Sequence, residues 1–155
     1  MDPLGQRILW LYDELERPSL DLHTILEMAG GKKPAEREAV LDSLAALVRQ
    51  QMLEGQPGDF YSRTEDGRLA AAGPLALTLY SRQGCLLCDE MKRAIEPLLG
   101  EFGASLRVVE IDSDPALVER YTNDVPVLFL AARKVAKHRV DLLQLRRQLA
   151  HAKSL

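Results

Sequence analysis

The chain's only two cysteines, Cys85 and Cys88, stand where a strand pattern gives way to a helix pattern. Before them, Leu75-Ala-Leu-Thr-Leu-Tyr80 alternates enough to predict a short strand, and Ser81-Arg82-Gln83-Gly84 predicts a turn. After them, Leu86, Leu87, Met91, Ile95, Leu98 and Leu99 recur at helical spacing up to Gly100, the expected helix stop. A thiol at the start of a helix faces unpaired N–H groups and the positive end of the helix dipole. Both stabilise a thiolate. A second thiol one turn later can reach the first. The pair is suited to reversible dithiol/disulfide chemistry.

Other uses of two cysteines compete with this reading. They can be small buried hydrophobes. A Cys-x-x-Cys can also be half of a zinc site, but zinc wants four ligands, and His23, His138 and His151 are scattered singly. No metal site is therefore expected. A structural disulfide closing so short a loop removes little entropy from the unfolded chain. Redox use is the stronger expectation.

The 155 residues allow one ordinary domain or two small ones. Hydrophobic residues make up 46%, enough for packed cores, while 5% aromatic residues offer few rings for stacking on bases. The opening Met1-Asp-Pro-Leu-Gly-Gln-Arg has no basic segment leading into an apolar core, so no signal peptide is expected. No apolar run approaches membrane-spanning length. The expected address is the cytoplasm, where a close cysteine pair is more often catalytic than structural.

Charge separates two halves. Residues 1–73 hold 8 Lys and Arg against 13 Asp and Glu, a net of −5, whereas residues 74–155 carry +2. The small-residue stretch Gly67-Arg-Leu-Ala-Ala-Ala-Gly-Pro74 marks the seam. Two domains are expected, 1–73 and 74–155.

The first half predicts three helices and a hairpin. Ile8, Leu9, Leu11, Tyr12 and Leu15 form one stripe broken at Pro18. Ser19 is the expected cap of a second helix carrying Leu22, Ile25, Leu26 and Met28, which ends at Gly30-Gly31. Pro34 opens a third helix to Gln51, with Val40, Leu41, Leu44, Leu47, Val48 and Met52 on its apolar face. Leu53 to Thr64 predicts two short strands around a Gly/Pro turn, and Thr64 caps a further helix. This α+β order resembles a winged-helix domain. The segment from Leu44 to Arg68 is similar to stretches of bacterial winged-helix regulators, whose third helix enters the major groove. Here that helix carries Arg37 and Arg49 against Glu36, Glu38 and Asp42, and the wing tip holds Gln56 and Asp59. Phosphate neutralisation supplies most non-specific DNA affinity, so a net of −5 predicts no appreciable DNA binding. Docking to protein, or pairing two chains as a homodimer, is the expected use.

The second half predicts strand, helix, strand, helix, strand, strand, helix. Ser105 to Asp112 alternates as a strand, and Asp114-Pro115 starts a helix through Leu117, Val118 and Tyr121. Val127 to Ala131 is a continuous apolar run, as in a strand buried on both faces. Lys134 to His138 predicts an antiparallel edge strand, and Asp141 caps a last helix.

Tyr80-Ser-Arg-Gln-Gly-Cys-Leu-Leu-Cys88, Val109-Glu-Ile-Asp112 and Asp124-Val-Pro-Val-Leu128 resemble the thioredoxin superfamily, and within it the short glutaredoxin-like proteins. The resemblance covers about residues 75–150 and implies an α/β thioredoxin-like fold of order βαβαββα. It implies that Cys85 is the nucleophile and Cys88 the resolving thiol. It implies a cis Val125–Pro126 peptide, with Pro126 beside the cysteines and the Val125 backbone turned toward an extended substrate. Arg82 matches a basic position that in glutaredoxins helps hold the thiolate and a carboxylate of glutathione.

The departures are specific. Where glutaredoxins carry Gly-Gly and an acidic pair, this chain reads His138-Arg139-Val140-Asp141-Leu142. Without those glycines, close backbone approach to glutathione is obstructed. Asp124 stands where a threonine is usual, and two leucines lie between the cysteines. The resulting expectation is a thiol–disulfide oxidoreductase with no bound cofactor. It would act on a disulfide-containing protein or a small thiol, with glutathione a cosubstrate in question. Two alternatives differ in class: a redox-responsive transcriptional regulator, and an interaction protein whose dithiol does no turnover.

Overall fold

A computed structural model describes residues 2–154. The chain divides between Ala71 and Ala72 into two units.

The first unit runs α1 (Pro3–Glu14), β1 (Ser19–Asp21), α2 (Leu22–Met28), α3 (Pro34–Arg49), β2 (Leu53–Gln56), β3 (Phe60–Arg63) and α4 (Glu65–Ala71). Asp2 caps α1 by accepting from the Gly5 N–H at 2.7 Å, with Pro3 in the first turn where its missing donor costs nothing. The three strands form an antiparallel sheet of order β1-β3-β2. Ile8, Leu9, Leu11 and Tyr12 of α1 pack with Leu20, Ile25, Leu44, Leu47 and Leu53 into one core.

Two expectations fail here. Ser19 does not cap α2. It lies in β1, where pairing with β3 buries Leu20, and Asp21 caps instead through the Thr24 N–H at 3.1 Å. On α3, Val40, Leu44 and Leu47 are buried, but Leu41 and Val48 flank that stripe and stay exposed, as does Met28 on α2.

The second unit runs β4 (Ala76–Ser81), α5 (Leu86–Phe102), β5 (Ser105–Glu110), a 3₁₀ turn (Ile111–Ser113), α6 (Pro115–Tyr121), β6 (Val127–Leu130), β7 (Arg133–Lys137) and α7 (Leu142–Lys153). Its sheet has the order β5-β4-β6-β7. β4 pairs parallel with β5 and antiparallel with β6, and β6 pairs antiparallel with β7. Strand alternation divides the core. Leu77, Leu79, Leu128 and Leu130 meet Met91, Ile95, Leu98, Leu145 and Leu149 from α5 and α7. The opposite-facing Tyr80 and Phe129 meet Tyr121 of α6, with the two tyrosine rings stacked at 4.8 Å. Apolar cover on both faces explains the unbroken run Val127–Leu130.

The helix stop expected at Gly100 is three residues early. α5 passes through Pro97 and Gly100 and ends at Gly103, whose φ of 66° closes it by donating to the Leu99 carbonyl. Leu98, Leu99 and Phe102 all pack on the sheet, so burial extends the helix beyond its local breakers.

Candidate active site

Ser81 ends β4, and Gly84 at φ +71° turns the chain into α5. Cys85 is the N-cap of α5, and its Sγ accepts from the Cys88 N–H at 3.1 Å. The first turn of α5 thus directs an otherwise unpaired donor at this sulfur, an arrangement that favours a thiolate over a thiol. Cys88, one turn on, is only 3% exposed, while Cys85 is half-buried. The two form a disulfide with Cα atoms 5.2 Å apart. Leu86 between them is 76% exposed, a large apolar side chain facing solvent at the site's edge.

Sheet register brings the other candidate residues to this end. Tyr80 pairs with Val127 across β4 and β6, so Val125 and Pro126 run alongside Ser81 and Arg82. The Val125–Pro126 peptide is cis. Val125 is half-buried and its N–H donates to the Tyr121 carbonyl at 3.1 Å, while Pro126 is buried and its carbonyl accepts from His138 N–H at 2.8 Å. His138, with φ +63°, leads into Arg139 and Val140, which face Leu87, Glu90, Met91 and Ala94 across a cleft of about 200 Å³.

Arg82 is held by side chains that sequence reading passed over. Its Nε and Nη2 donate to both carboxylate oxygens of Asp112 at 3.0–3.2 Å, and Nη2 also donates to Thr122 Oγ1 at 2.9 Å. The signal was present in the strand pairing. Ser81 lies opposite Glu110 in parallel register, which carries Asp112 past the strand ends to the level of the loop holding Arg82. Among the described residues, no group of three or more His, Cys, Asp and Glu side chains is arranged to hold a metal ion.

A mixed sheet of order β5-β4-β6-β7, with α5 and α7 on one face, α6 on the other and a dithiol capping α5, is a thioredoxin-like α/β fold. Within that class, residues 76–150 match the family described as the glutaredoxin-like domain. A solution structure of a protein from Nitrosomonas europaea is similar at 29% identity, covering 49% of this chain and 92% of its own, with a TM-score of 0.44. An X-ray structure of a protein from X. campestris is 36% identical over 48% of this chain and 96% of its own, with a TM-score of 0.39. Glutaredoxin C1 from Populus tremula x tremuloides is 22% identical over 59% and 88%, with a TM-score of 0.41. Among the described residues, no helix is long and apolar enough to cross a membrane.

Proposed function

We propose that this protein is a cytoplasmic thiol–disulfide oxidoreductase in which Cys85 attacks and Cys88 resolves. The observation that carries the proposal is the asymmetry of the pair. Cys85 caps the helix, accepts a backbone N–H and is accessible, whereas Cys88 is buried one turn behind it. In the reduced enzyme, Cys85 thiolate attacks one sulfur of a substrate disulfide, breaking that bond and expelling the other sulfur as a thiolate. Cys88, deprotonated as it reacts, then attacks Cys85 Sγ, forming the Cys85–Cys88 bond and releasing the second substrate thiol. Two electrons pass to the substrate, and two equivalents of an external thiol, or one external dithiol, return the enzyme to its dithiol form and leave as a disulfide.

Val125 and Pro126, at the same end of the sheet, form the proposed docking edge for substrate. Arg82 is the proposed third element, acting from its seat on Asp112. Engagement of that guanidinium by a carboxylate, and His138-Arg139 in place of a glycine pair, both favour a protein disulfide over glutathione. For the first unit we propose a winged-helix module. Its α-β-α-α-β-β order with a β1-β3-β2 antiparallel sheet supports that reading, and its net charge of −5 favours docking to protein or a second chain over DNA.

The test is a trapping pair. Cys88→Ser should retain the first attack and accumulate a mixed disulfide, and Cys85→Ser should trap nothing. Multiple-turnover disulfide reduction should fall by at least about 10³-fold in Cys85→Ser. Equal trapping by both variants, or turnover surviving in Cys85→Ser, would reject the assigned roles.

A further inference from the structure

At the end of the sheet away from the dithiol, a second cleft opens between β7 and α7, with a volume of about 450 Å³. Its position follows from register: Leu130 in its floor pairs with Leu77 at the start of β4, whereas the dithiol follows the end of that strand. The floor is apolar, built from Leu130, Val135 and Ala152, while Arg133 from β7 and Arg147 and His151 from α7 stand in its walls. No aspartate or glutamate lines it.

The two arginines are the telling groups. On α7, Arg146 is paired with Glu101 and holds helix to helix. Its neighbour Arg147 lines the cleft, and neither it nor Arg133 makes a side-chain hydrogen bond or ion pair among the described residues. The surrounding sequence adds to the field, since residues 131–155 hold seven Lys and Arg against one acid, Asp141. A positive rim with no acidic side chain among the described lining residues, over an apolar floor, attracts a negative group while offering its apolar part a surface out of water. Guanidinium forks match the geometry of carboxylates and phosphates. The volume lies within the range of small-ligand clefts, roughly 300–1,000 Å³.

We propose that this cleft binds a small amphipathic anion, a carboxylate or phosphate on an apolar body, with Arg133 and Arg147 holding the charge. The site is separate from the dithiol and does not depend on its chemistry.

The test uses the ¹⁵N-labelled full chain titrated with decanoate, decyl phosphate and decanol, each below its micelle-forming or solubility limit. Both anions should give saturable shifts of backbone resonances around Val135, Arg147 and Ala152, and decanol should bind at least about tenfold more weakly. Arg133→Gln combined with Arg147→Gln should weaken decanoate by about tenfold or more while leaving the rest of the spectrum in place. Cys85→Ser with Cys88→Ser should leave decanoate binding unchanged. The proposal is overturned if no saturable shifts occur, if they map elsewhere, if decanol matches decanoate, or if the double arginine variant binds as the parent does.

Discussion

Each half of this chain ties an arginine to an aspartate far away in sequence, and the two pairs serve different ends. Arg63, at the end of β3, donates to Asp13 at 2.6 and 2.8 Å and to the Leu9 carbonyl at 2.9 Å. Its side chain is only 5% exposed and its guanidinium lies 5.6 Å from the Tyr12 ring centre. Arg82, beside the dithiol, is held by Asp112 and Thr122 but is 32% exposed, and Asp112 is 56% exposed. In the first pair the guanidinium is packed between α1 and β3 and only the Asp13 carboxylate, 51% exposed, reaches solvent. The second sits in a wet rim, where water screens it and a small change can release it. The two pairs differ in their arginines: Arg63 is buried and directs its donors to α1, whereas Arg82 stays within reach of solvent at the reactive end.

The hardest way to break the first unit is at Gly67. A Cβ there would meet the Met52 carbonyl oxygen well inside van der Waals contact, and that oxygen also accepts from the Thr64 N–H and hydroxyl. Backbone cannot yield as a flexible side chain can, so Gly67→Ala should cost roughly 3 kcal/mol. Trp10 is the only tryptophan and lies in α1, so denaturant unfolding followed by its fluorescence reports on this unit. An unchanged midpoint would show that α4 can shift freely against β2.

Removing the buried arginine should rank next. Arg63→Ala leaves the Leu9 carbonyl without this donor and strips cover from Tyr12, an expected loss of about 2 kcal/mol by the same measurement. Burial pushes the Tyr12 phenol well above its ordinary value, so its hydroxyl stays a donor to the Tyr61 carbonyl at 2.7 Å. The exposed pair should behave otherwise. Asp112→Asn should leave stability nearly unchanged but free the Arg82 charge to favour the Cys85 thiolate. Alkylation of Cys85 in the reduced protein near neutral pH should then rise about two- to threefold, the scale of an exposed ion pair. A slower rate would mean that Asp112 aims Arg82 rather than restraining it.

The smallest effect concerns acid. Thr24 donates both its hydroxyl and its backbone N–H to Asp21, holding that carboxyl below the ordinary 3.8. A depressed folded-state value means a contribution fully present above the unfolded value and lost as pH falls through the folded one. Asp21→Asn should therefore narrow the difference from the parent as the solution is acidified below about pH 4. A difference that stays constant down to pH 2 would place the cap's contribution elsewhere than in the carboxylate charge.

What could be read from the sequence was local and periodic. Cys85-Leu-Leu-Cys88 after an alternating strand carries its own geometry, because a helix start supplies donors to whatever caps it. Asp141 and Asp114 were legible as caps for the same reason. Tertiary structure decided what depends on partners distant in sequence. It moved Ser19 into a strand because β3 buries Leu20 there, and it carried α5 past Gly100 because Phe102 and its neighbours pack on the sheet. It joined Arg82 to Asp112 through parallel register across 30 residues, and among the described residues it left Arg147 unpaired while Arg146 found Glu101. Propensity acts over one or two turns of chain. Burial and charge pairing act over whatever distance the fold brings together, and no local pattern encodes that distance.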